Sequence, residues 1–116
     1  MSVTIYHNPR CSKSRQTLQV LQDNNIEVDV VEYLKNIPDA ATIESLLTKL
    51  GMTSAQQLMR NKEAIYKELN LKNANLSETQ LIEAMIANPK LIERPIVVNG
   101  DKAKIGRPPE QVLELF

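Results

Sequence analysis

The sequence predicts an α/β domain built on a mixed four-stranded sheet. Three observations carry that expectation. A strand, helix and strand pattern fills the first 34 residues, a purely helical pattern runs from 39 to 88, and two short β-rich runs flank Asn99-Gly100 before a last helical stretch. The expected order is β-α-β, helical insertion (39–88), β-β-α, within one domain spanning 1–116. A chain of 116 residues that is 42 % hydrophobic is long enough for one such domain with its own core.

Each element follows from local chemistry. Val3 to His7 alternates apolar and polar and is rich in β-formers, so it reads as a strand, and Asn8-Pro9 ends it with a turn. Ser12 to Asn24 reads as a helix with Leu18, Val20 and Leu21 on the buried side. Val28 to Leu34 is a second strand, and a strand, helix, strand unit of this kind is parallel and right-handed. Asp39 is a candidate N-cap for a helix whose apolar face is Ile43, Leu46, Leu47 and Leu50, with Gly51 at the C-cap. Ser54 to Leu69 is helical in one or two pieces. Ser77-Glu-Thr-Gln80 has the capping-box pattern, opens a helix through Leu81, Ile82, Met85 and Ile86, and Asn88-Pro89 stops it. Asn99-Gly100 between Pro95–Val98 and Lys102–Ile105 is a hairpin signal. Pro108-Pro109 starts a final helix that turns Val112, Leu113 and Phe116 inward.

Composition excludes several classes of function. No stretch reaches the roughly 18 apolar residues of a membrane helix, and Met1 to Asn8 lacks a secretory pattern. The expected setting is cytoplasmic. Fourteen basic residues balance fourteen acidic ones, which offers nucleic acid no bulk electrostatic grip. The chain holds one cysteine and one histidine, too few for a zinc site. One cysteine also forbids an internal disulfide, so any redox chemistry at Cys11 takes its resolving thiol from another molecule.

Cys11 lies in the turn between the first strand and the first helix, among Arg10, Ser12, Lys13, Ser14 and Arg15, with His7 four residues earlier. A helix N-terminus presents free N–H groups and partial positive charge. Both favour a thiolate, and such positions lower a cysteine pKa from about 8.5 to somewhere in the range of about 3.5–7.5. The same N–H groups suit an incoming oxyanion. His7 serves either as an imidazolium beside the thiolate or as a hydrogen-bonding anchor for the loop. Thr17 stands where a phosphatase-type Cys-x5-Arg loop needs arginine. Ser14 stands where a Cys-x-x-Cys motif needs its second thiol.

His7-Asn8-Pro9-Arg10-Cys11-Ser12-Lys13-Ser14-Arg15 resembles the His-x3-Cys-x3-Arg signature of the glutaredoxin-coupled arsenate reductases. Leu58-Met59-Arg60 with Tyr66-Lys67-Glu68-Leu69 resembles that family's helical insertion. Glu93-Arg94-Pro95-Ile96-Val97-Val98 resembles its Arg-Pro-Ile strand start, and Gly106-Arg107-Pro108 its late arginine-proline segment. The four segments occur in order and cover nearly the whole chain. The resemblance implies a thioredoxin-like fold and a cis-proline at Pro95 facing the cysteine loop. It implies that Cys11 attacks arsenate, that Arg60, Arg94 and Arg107 cradle the oxyanion, and that His7 and Arg15 support the loop and the thiolate. It implies no bound cofactor or metal, with glutathione as co-substrate and glutaredoxin as partner. Separately, the chain is expected to be a monomer.

Ser12-Lys13-Ser14 departs from the Gly-Thr-Ser of plasmid-borne members and adds a charge at the helix start. Two other readings use the same residues. One is a monothiol glutathione-dependent oxidoreductase acting on another oxyanion or on glutathionylated proteins. The other is a non-enzymatic interaction module of the Spx-like kind, whose usual Cys-x-x-Cys switch Ser14 denies.

Overall fold

The alternation in Val3–His7 becomes strand β1, with Val3, Ile5 and His7 buried and Thr4 and Tyr6 half-buried. The computed structural model describes residues 3–72 and 75–116. The chain divides into a sheet unit, Met1–Asn36 with Arg94–Phe116, and a helical unit, Ile37–Glu93.

In the sheet unit β1 is followed by α1 (Ser12–Asp23) and β2 (Asp29–Glu32), then after the helical unit by β3 (Ile96–Asn99) and β4 (Lys102–Ile105). Strand order is β2-β1-β3-β4. β1 runs parallel to β2 and antiparallel to β3, and β4 closes an antiparallel hairpin on β3. This mixed sheet is the thioredoxin-like α/β arrangement. Its core is Val3, Ile5, Leu21, Val97 and Val112, with Leu18, Ile26, Val28 and Leu115 packed against them. Among the described residues no helix is long and apolar enough to cross a membrane.

Several elements depart from the expected bounds. β2 is shorter than 28–34 because its pairing with β1 ends at Glu32, where Lys35 and Asn36 N–H groups turn back onto the Glu32 carbonyl. The buried face of α1 is Ser14, Thr17 and Leu21, with Leu18 and Val20 only partly covered. The hairpin loop is Gly100-Asp101, one residue later than Asn99-Gly100. Asn99 pairs with Lys102, and Gly100 takes φ +64° at the first loop position, where glycine carries no Cβ penalty. The final helix is a 3-10 helix, Pro109–Leu115. With three residues per turn its inward row is Pro109, Val112 and Leu115, so Phe116 is exposed (53 %) rather than turned inward.

The helical unit starts with α2 (Ala40–Leu50). The Asp39 carboxylate accepts from the Thr42 N–H at 2.9 Å, and Gly51 ends the helix at φ +72°. Ser54 to Leu69 breaks into a 3-10 turn (Ala55–Leu58) and a short α3 (Ala64–Glu68). Between them Met59 is extended and forms an isolated bridge with Ile92, flanked by Arg60 N–H to Leu91 O and Glu93 N–H to Leu58 O. That bridge interrupts the expected strandless block. α4 (Glu78–Ala87) opens with the Ser77/Gln80 capping box and buries Leu81, Ile82 and Met85.

In the sheet unit Gly106 follows β4 and sits tightly against α1. A Cβ there would run into the Thr17 hydroxyl and lie 2.9 Å from Pro95 Cγ and from Thr17 Cγ2. Thr17 Oγ1 itself donates to Lys13 O at 2.8 Å and lies 3.4 Å from Gly106 O. Gly106→Ala is expected to destabilise the protein by about 1–3 kcal/mol, the usual cost of overpacking. Urea unfolding measures it, and an unchanged midpoint would contradict this packing.

Candidate functional site

The cysteine loop is built by short-range hydrogen bonds. After β1 the chain turns at Asn8-Pro9-Arg10-Cys11. Cys11 N–H donates to Asn8 O at 3.0 Å, and Arg10 N–H donates to Asn8 Oδ1 at 3.0 Å. Asparagine at the head of such a turn mimics a backbone partner. Cys11 then takes extended dihedrals at the N-cap of α1, and its carbonyl accepts the first helical bond from Arg15 N–H at 3.0 Å. The sulfur therefore stands at the positive end of a 12-residue helix whose first turn carries no acidic residue.

Partial burial pushes the Cys11 thiol up. The N–H groups of Ser14 and Lys13 and the Arg94 guanidinium outweigh that effect and hold its pKa below the ordinary cysteine value. A group whose charged form the fold favours is ionised over a wider pH range than in a free peptide.

Arg94 comes from the segment just before β3 and reaches Cys11 with its side chain. Its carbonyl accepts from Arg107 Nε at 2.9 Å, which ties the second guanidinium to the Arg94 backbone. Gly106 N–H donates to Pro95 O at 2.9 Å. The Arg94-Pro95 and Arg107-Pro108 peptide bonds are both cis. Arg15 is exposed, and its Nη1 donates to Pro9 O at 3.2 Å, so it props the loop.

His7 is buried at the end of β1, and its Nδ1 lies 2.6 Å from Ser14 Oγ. Burial lowers its pKa, Glu32 on the facing strand works against that, and Arg15 adds to it. The same Ser14 oxygen accepts from Asn8 N–H at 3.0 Å. Its proton is then free for His7 Nδ1, which fits a neutral ring carrying its hydrogen on Nε2. Of the two roles expected for His7, this geometry matches the anchoring one.

In the sheet unit Arg94 reaches Cys11, Arg107 Nε is held on the Arg94 carbonyl, Arg15 on the Pro9 carbonyl, and His7 on the Ser14 hydroxyl. Arg60 belongs to the helical unit. There its guanidinium is bonded to Glu63, with Glu93 Oε1 at 3.9 Å from Nε. Sequence reasoning read Ser14 only as an absent cysteine and Thr17 only as an absent arginine. Both are fully buried polar residues on α1. The available signal was their spacing, since 14, 17 and 21 mark one helical face.

Comparison with known proteins places this geometry among relatives. A profile of the ArsC family matches residues 6–115. The uncharacterized protein YfgD of Escherichia coli (strain K12) is 64 % identical over 113 residues, covering 97 % of this chain and 95 % of that one. The arsenate reductase of Haemophilus influenzae is 51 % identical over 116 residues, the full length of both chains. The structure of an arsenate reductase from Vibrio cholerae superposes with a TM-score of 0.97 at 51 % identity, covering 100 % of this chain and 98 % of that one.

Proposed function

This chain belongs to the ArsC family, and from that premise we propose that it reduces arsenate to arsenite with glutathione and glutaredoxin as thiol donors. The observation that carries the reading is the Cys11 sulfur at a helix start, its pKa held below the ordinary cysteine value with the Arg94 guanidinium on it, and Arg107 bonded to the Arg94 backbone. Family membership supplies the oxyanion.

The chemistry follows from having one thiol. The Cys11 thiolate displaces one oxygen of arsenate, which leaves as water after protonation, and an S–As(V) bond forms. Glutathione displaces a second oxygen in the same way. A glutaredoxin thiolate then attacks the glutathione sulfur. An S–S bond forms, the As–S(glutathione) bond breaks, and its electron pair stays on arsenic, which becomes As(III). Water releases arsenite from Cys11 and returns the thiol. The two electrons come from the two external thiols, so Cys11 ends the cycle reduced.

Planar guanidinium groups suit the tetrahedral oxyanion through paired N–H donors, and they offset the charge that builds on its oxygens. Arg94 and Arg107 take that role in this reading. Arg60 enters it by family resemblance alone, and its carboxylate partners compete for the same donors. His7 and Arg15 act on the loop. The protein is read as a cytoplasmic monomer.

Arsenite formation from arsenate tests the reading. Turnover is expected only when glutathione and glutaredoxin are both present. No arsenite with both present would overturn the activity, and full turnover with glutathione alone would overturn the coupling.

A further inference from the structure

We propose that Ser14 is a positioning residue for the Cys11 thiolate, its buried hydroxyl bridging the end of β1 to the first turn of α1. The inference rests on Cys11 acting as the thiolate described above. Ser14 has no exposed surface, and its Oγ meets two groups of the strand end, Asn8 N–H at 3.0 Å and His7 Nδ1 at 2.6 Å. Cys11 lies between these anchor points, and its N–H is tied to Asn8 O at 3.0 Å. One hydroxyl therefore clamps both ends of the four-residue loop that carries the sulfur. A buried hydroxyl bonded on both sides is costly to remove, because two partners are then left without it.

The backbone N–H of Ser14 itself is one of the groups that stabilise the charged sulfur. Fixing Ser14 by its side chain thus fixes a donor of the anion site by its main chain. Geometry and charge point the same way around it. Arg94 reaches the sulfur from the segment before β3, with Arg107 held on its carbonyl. Lys13 and Arg15 lie on α1 and Arg10 in the loop, while Glu32 of β2 faces His7. Among these groups Ser14 is neutral. Its effect on the thiolate is therefore one of aim rather than of added charge.

The test is the pH dependence of Cys11 alkylation by iodoacetamide, a reaction that needs no arsenate. In Ser14→Ala the midpoint is expected to rise by about one pH unit, which slows alkylation about tenfold on the acid side. In the arsenate assay kcat falls while KM stays within about twofold, because the interaction acts on the nucleophile rather than on substrate binding. Ser14→Thr keeps the hydroxyl and is expected to hold the wild-type midpoint. If Ser14→Ala does not fold, His7→Phe removes the other end of the bond, fills the imidazole space, and is expected to shift the midpoint the same way. A lowered Tm with an unchanged alkylation midpoint overturns the proposal. A wild type that reduces no arsenate, beside a Ser14→Ala midpoint that has risen, would dispose of the reaction and leave the bridge standing.

Discussion

Cys11→Ser is expected to lose arsenate reduction by at least about a thousandfold, since removing the nucleophile of a covalent mechanism removes the step itself. A serine hydroxyl stays protonated where the thiol ionises, and its oxygen offers arsenic no soft ligand. The fold is expected to survive. Cys11 is half-buried at the N-cap of α1, and serine is among the best N-cap residues. Its hydroxyl accepts from the same first-turn N–H groups that now face the sulfur. The variant is therefore expected to melt no lower than the wild type. Arsenite formation and thermal unfolding measured together decide the matter. Reduction above about a hundredth of the wild-type rate would mean that the sulfur is not the nucleophile.

The second large effect is expected at Arg94. Arg94→Gln removes the cation beside Cys11 but keeps the carbonyl that holds Arg107 Nε. Losing one preorganised charge at the reacting group is expected to lower kcat/KM by about a hundredfold. The pH dependence has a definite sign. In the wild type the Cys11 pKa lies below its ordinary value, so the stability it contributes is fully present above that ordinary value and is lost as pH falls through the lowered one. Arg94→Gln moves the lowered value upward and narrows this window. Its alkylation deficit is then greatest on the acid side and closes as pH passes the ordinary thiol range. Arg94→Lys restores the charge without the planar fork and is expected to fall between the two. An alkylation profile in Arg94→Gln that overlays the wild type would separate Arg94 from the thiolate.

The elements that were legible in the sequence are those whose signals are local. Asp39 and Ser77 mark their helices because a cap bonds to an N–H within three residues, and both make that bond. The parallel pairing of β1 with β2 follows from a short helical crossover. Bounds were read less well wherever a partner set them. β2 stops where β1 stops pairing, and the 54–69 segment opens at Met59 because Ile92 pairs with it. A period of 3.6 turns Phe116 inward with Val112, while the observed helix turns every three residues and leaves Phe116 exposed.

The candidate site divides along the same line. Sequence alone determined that there is one thiol, that it follows a strand and begins a helix, and that cationic side chains surround it. Those facts depend on composition and on bonds between residues three or four apart. Only the tertiary structure decided that Arg94 reaches the sulfur, that Arg107 rests on the Arg94 carbonyl, and that Thr17 lies against Gly106. These contacts join segments far apart in the chain. Strand register and the close approach of Gly106 to α1 select them, and neither is written in any short stretch of residues.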